Sequence, residues 1–114
     1  MKLLIVDDEP EIAEIYRELL DYAGFQVDSF IDSEKALESI KKNSYDLIIT
    51  DKKMPKISGL EIIEYVEANL PDTPVLLITG EDVRDLKLSH SKSKIYSKPV
   101  AFESLLEDIK NIGG

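Results

Sequence analysis

The chain has 114 residues, 43% of them hydrophobic, with 23 acidic side chains against 14 basic ones, a formal net charge of -9 and no cysteine. That length supports one core but not two, the missing cysteines exclude disulfides and thiolate metal sites, and the acidic balance argues against nucleic acid as a direct partner, because phosphate backbones require clustered Lys and Arg. No apolar run approaches a membrane span and no basic segment leads a signal-like stretch, so the sequence predicts one cytoplasmic domain over residues 1–114 with no membrane partner.

In chain order, Lys2 to Val6 is an apolar burst of strand length, followed by Asp7-Asp8-Glu9-Pro10 and then a helical period. Pro10 suits a first helical turn. Ile12, Ile15, Leu19 and Tyr22 recur at three- and four-residue spacing and predict the buried stripe of a helix over about 10–23, with Gly24 as its stop. Phe25 to Phe30 alternates weakly as a second strand. Asp32 or Ser33 caps a helix carrying Ala36, Leu37 and Ile40, which ends at Asn43 and Ser44.

Leu47, Ile48 and Ile49 form a continuous run that stops on Asp51, the mark of a strand buried on both faces. Pro55 imposes a loop over 52–57, and Ser58 opens a third helix with Leu60, Ile63, Tyr65 and Val66 facing inward, until Pro71 and Pro74 force a connection. Val75 to Thr79 is the fourth strand. Glu81 to Leu88 has room for only a short helix. Ile95 to Ser97 is a brief fifth strand closed by Lys98-Pro99, and Phe102, Leu105, Leu106 and Ile109 mark a last amphipathic helix before Asn111.

Strands alternating with helices through short loops predict an α/β domain: a three-layer α/β/α sandwich around a five-stranded parallel sheet in the flavodoxin-like order 2-1-3-4-5. In such a sheet, ligands bind beside the carboxyl ends of the strands. Asp7 and Asp8 follow the first strand, Asp51 ends the third, Thr79 the fourth and Lys98 the fifth, so all five are expected at one edge. Carboxylates gathered there repel one another unless a cation compensates. Hard oxygen donors without His or Cys point to Mg²⁺, which keeps water and phosphate oxygens in its remaining positions. Lys98 offers a point charge, and Thr79 a hydroxyl, to a phosphoryl oxygen.

With these residues placed, the whole chain resembles the receiver domains of two-component response regulators, the CheY-like superfamily. The resemblance rests on D-D-E-P after the first strand, D-x-x-M-P-x-x-x-G from Asp51 to Gly59, Thr79-Gly80 after the fourth strand, and Lys98-Pro99 after the fifth. It implies that Asp51 accepts a phosphoryl group from a phosphohistidine on a sensor histidine kinase or histidine phosphotransfer protein. Asp8 and Asp51 would ligate Mg²⁺ directly, the backbone carbonyl of Lys53 would complete the protein ligands, and Asp7 would assist through water. Lys98 and Thr79 would serve the phosphoryl oxygens. The Lys98-Pro99 bond is expected to be cis, and the domain to catalyse only its own phosphorylation and dephosphorylation, its output passing by contact to a downstream effector protein.

Three positions depart from that pattern. Ile95 stands where the family carries an aromatic residue, with Tyr96 one place out of register and so directed to the opposite face. The segment between Thr79 and Lys98 is short. Lys53 and Glu81 flank the phosphoryl position, where they are expected to pair across the mouth. The alternative within this fold is an interaction module that does not depend on phosphorylation. A haloacid-dehalogenase-type phosphatase would need a second Asp where Lys53 stands, and a flavin carrier would need a Ser/Thr/Gly-rich phosphate loop after the first strand.

Overall fold

The computed structural model describes residues 1–82 and 86–113. Five strands, β1 (Lys2–Val6), β2 (Gln26–Phe30), β3 (Leu47–Asp51), β4 (Val75–Thr79) and β5 (Lys94–Ser97), form one sheet in the order β2-β1-β3-β4-β5, every pairing parallel. Four helices are present among the described residues: α1 (Pro10–Tyr22), α2 (Ser33–Lys42), α3 (Gly59–Asn69) and α4 (Phe102–Gly113). The expected fold class is the observed one. None of the described helices is long and apolar enough to cross a membrane.

The strands explain the two-sided core. In β1, β3 and β4 successive side chains point to opposite faces, and both faces are apolar, so each strand needs cover above and below. Leu4, Val6, Ile48, Val75 and Leu77 pack on one side with Ala36 and Ile40 of α2 and Ile62, Ile63 and Val66 of α3. Leu3, Ile5, Leu47, Ile49, Leu76 and Ile78 pack on the other with Leu20 of α1 and Leu105 and Ile109 of α4. Residues of β3 and β4 are buried throughout.

The inward face of α1 differs from the sequence expectation. Ala13 and Leu20 are buried, with Tyr16 half-buried beside them, whereas Ile15, Leu19 and Tyr22 are 51%, 40% and 95% exposed. Residues 13, 16 and 20 satisfy the helical period as well as 12, 15, 19 and 22 do. Ala13 and Leu20 take the inward positions, which turns Ile15, Leu19 and Tyr22 to solvent and leaves Ile12 half-buried. In α3, Ile62 is fully buried beside Ile63 and Val66, while Leu60 and Tyr65 stand at the margins. Helix α4 continues past Asn111 to Gly113.

The short helix expected over 81–88 is not seen in its described parts: residues 81–82 and 86–88 are not helical, and 83–85 lie outside the described residues. Leu86 and Leu88 instead lean on the core from an irregular segment. Strand β5 pairs regularly with β4, Leu77 opposite Ile95 and Thr79 opposite Ser97. Ile95 therefore joins the cluster containing Leu77, and Tyr96 the opposite one.

Candidate functional site

The candidate residues stand at or just beyond the strands' carboxyl ends. Asp7 is buried; its backbone N–H donates to the Phe30 carbonyl (3.1 Å), and its Oδ1 accepts from the Glu9 N–H (2.9 Å). That bond turns the chain into α1. The Asp51 carboxylate is also buried, with Oδ1 accepting from the Lys52 N–H (2.9 Å) and Oδ2 from Lys98 Nζ (3.1 Å). Lys98 arrives from β5 through its own N–H, which donates to the Thr79 carbonyl (2.8 Å), and the Lys98–Pro99 bond is cis.

Asp7, Asp8 and Asp51 each bring a carboxylate oxygen within 4.8 Å of the others. Burial raises the Asp7 carboxyl most, the negative charges of Asp51 and Asp8 add to it, and the Glu9 hydrogen bond and Lys98 oppose it, leaving a pKa of about 6. Burial lowers Lys98, but its bond to Asp51 and the charges of Asp51, Asp7 and Glu9 outweigh that, so the ammonium lies above its ordinary value. One lysine does not neutralise three crowded carboxylates. The donor set is all oxygen, it is preformed, and it has the excess negative charge that a hard divalent cation such as Mg²⁺ would satisfy.

Asp8, Asp51, Lys53, Thr79 and Lys98 line one open cleft of about 620 Å³. Thr79 is buried, and its Oγ1 accepts from the Glu81 N–H (3.0 Å), which leaves the hydroxyl proton free to be donated elsewhere. The expected pairing of Lys53 with Glu81 is replaced: Lys52 Nζ takes Glu81 Oε1 at 3.1 Å. Lys52, the first residue beyond β3, reaches Glu81 without lining the cleft, and Lys53 remains in its wall.

The wall of the cleft between Asp51 and α3 is a loop with its own supports. Gly59 N–H donates to the Lys52 carbonyl (2.8 Å), and any Cβ at Gly59 would collide with the Asp51 carbonyl oxygen, so this position admits only glycine. Lys56 has φ of 68° and pairs with Asp32 at 3.1 Å. Ser33, buried at the start of α2, donates its hydroxyl to the Pro55 carbonyl (2.8 Å) and accepts from the Ile57 N–H (3.1 Å). The sequence offered Ser33 only as a cap; Asp32 takes that role, accepting from the Glu34 and Lys35 N–H groups, and leaves the Ser33 hydroxyl to the loop. No local motif marks this use, because its partners lie 22 and 24 residues away.

Tyr96 is held away from the cleft. Its hydroxyl donates to Asp108 Oδ2 (2.5 Å), and Lys94 Nζ meets Asp108 Oδ1 (3.1 Å). Burial first, and the Asp108 carboxylate second, push the phenol well above its ordinary range.

Residues 3–110 match the family described as response regulator receiver domain. The response regulator MprA of Mycobacterium leprae is 31% identical over 113 residues, an alignment covering 96% of this chain and 50% of that protein. A response regulator receiver domain protein from Clostridium thermocellum superposes with a TM-score of 0.87 at 31% identity, covering 97% of this chain and 92% of that one. The response regulator TrrA of Thermotoga maritima, solved in complex with Mg²⁺ and BeF, gives 0.85 at 33% identity, with 97% of each chain covered. The chain spans about half the length of curated relatives such as MprA and the ArlR regulator of Staphylococcus saprophyticus.

Proposed function

The chain belongs to the response regulator receiver domain family, and from that premise we propose that Asp51 takes a phosphoryl group from a phosphohistidine on a sensor histidine kinase or histidine phosphotransfer protein. The observation that carries this reading is the setting of Asp51: a buried carboxylate at the end of β3, opening on a cleft, with Lys98 on one oxygen and Asp7 and Asp8 beside it. In the transfer, the N–P bond of the donor breaks, an Asp51 carboxylate oxygen forms the new O–P bond, and the imidazole departs with the electron pair. Charge in the loose transition state is spread over the phosphoryl oxygens, so positioned cations and donors supply most of the catalysis.

Asp8, Asp51 and the Lys53 carbonyl would hold Mg²⁺, with Asp7 acting through water; bound there, the ion would neutralise the three acids and the incoming phosphoryl oxygens. Lys98 supplies a fixed ammonium from the opposite side. Thr79, its lone pair occupied by the Glu81 N–H, is left to donate to a phosphoryl oxygen. That movement would draw the segment after β4 with it and shift the face formed with β5, where Ile95 shares the Thr79 side of the sheet. Residues 1–114 act as one receiver domain in the cytoplasm, catalysing only its own phosphorylation and dephosphorylation and signalling to an effector protein by contact.

The test is the intact mass of the chain after incubation with acetyl phosphate, with and without Mg²⁺, beside Asp51→Ala. A gain of one phosphoryl group that needs both Mg²⁺ and Asp51 is expected. No gain in the parent chain under any of these conditions would overturn the reading and leave an interaction module independent of phosphorylation.

A further inference from the structure

We infer that Ser33, on a different element from every acid of the site, is a positioning residue for Mg²⁺, acting through the loop that carries the Lys53 carbonyl. The inference rests on the phosphoacceptor reading above and adds to it a residue outside the cleft. The Ser33 hydroxyl bridges the Pro55 carbonyl and the Ile57 N–H, the two backbone groups on either side of Lys56. Lys56 has φ of 68°, a conformation that non-glycine residues adopt at a cost. A loop through such a residue needs external bonds to stay in one shape, and the buried hydroxyl supplies two of them. The Lys56–Asp32 ion pair adds a third from the same helix start, but it is exposed and therefore weak.

Two residues before this turn is Lys53, whose carbonyl is the only proposed protein ligand that does not come from an acid. A backbone carbonyl cannot adjust by rotating a side chain; its direction is that of the loop. The Gly59 N–H on the Lys52 carbonyl closes the loop at its base, and Ser33 holds its middle, at Pro55 and Ile57. Removing the hydroxyl would leave a part-buried carbonyl and N–H without their partner, and the loop would relax to rehydrate them. The acids would be untouched. Affinity for the ion would fall while the chemistry at full occupancy would not, because Asp51 and Lys98 keep their places.

The experiment measures Mg²⁺ binding by calorimetry, and the Mg²⁺ dependence of phosphorylation by acetyl phosphate, for the parent chain, Ser33→Ala and Ser33→Thr. For Ser33→Ala, the Mg²⁺ concentration giving half the maximal rate should rise about tenfold, with the rate at saturating Mg²⁺ unchanged and calorimetric affinity falling in parallel. Ser33→Thr, which keeps the hydroxyl, should stay near the parent. Should Ser33→Ala fail to fold, Ser33→Cys, similar in size but a weaker hydrogen-bonding group, is to be read in the same way. Parent-like Mg²⁺ affinity in a folded Ser33→Ala or Ser33→Cys would overturn the inference, as would a lower saturated rate at unchanged affinity. A parent chain that binds no Mg²⁺ would instead overturn the phosphoacceptor reading itself.

Discussion

Asp7 is where local chemistry should be most visible from outside. Its folded pKa of about 6 lies above the ordinary carboxylate value of 3.8, so the native state holds a proton that the unfolded chain has released. Stability from this group is therefore fully present below pH 3.8 and is lost as the pH rises through 6. Without metal, the thermal midpoint of Asp7→Asn should lack the decline that the parent shows across that window, which a melting series in EDTA would measure. Mg²⁺ binding must displace the same proton, so its affinity should weaken about tenfold per pH unit below 6 and level off above it, as titrations from pH 5 to 8 would show. Asp7, Asp8, Asp51, Thr79 and Lys98 were all legible as residues closing apolar runs, since a strand's end is fixed by its own pattern. Ser33 and the Lys52–Glu81 pair were not, because each depends on how two distant segments meet.

At the scale of the element, helix α1 separates what periodicity decides from what it leaves open. A 3.6-residue period fixes that a stripe exists, but two stripes one step apart satisfied it, and the fold buries the one through Ala13 and Leu20. Substitution should sort them. Leu20→Ala should cost about 3 kcal/mol, whereas Ile15→Ser should change stability by less than about 0.5 kcal/mol, both read from urea unfolding; equal costs would mean that the sequence-level stripe is the buried one after all. The segment after β4 differs for a related reason. Its residues carry too weak a period to specify a helix, and in the described residues 86–88 Leu86 and Leu88 lean on the core from non-helical backbone. Strands β3 and β4 were read correctly because burial on both faces leaves an unbroken apolar run of strand length, legible without any alternation.

For the whole molecule, order along the chain and order across the sheet are different things. Fold class followed from alternation alone, since parallel strands joined by short right-handed crossovers leave few arrangements. The finished sheet gathers negative charge at one edge of a molecule already at -9, and a ligand that binds only the native state must stabilise it. Mg²⁺ at a hundredfold its dissociation constant should add about 2.7 kcal/mol, visible as a higher melting temperature that EDTA reverses and that Asp8→Asn largely lacks. The strand order β2-β1-β3-β4-β5 also sets a timetable. Lys98 follows the edge strand, the last of the five to be synthesised, and its partner Asp51 lies 47 residues earlier. Three strands, β1, β3 and β4, can gather the acids before β5 is laid down, so the one ammonium that reaches Asp51 joins the edge only when the outermost strand pairs with β4.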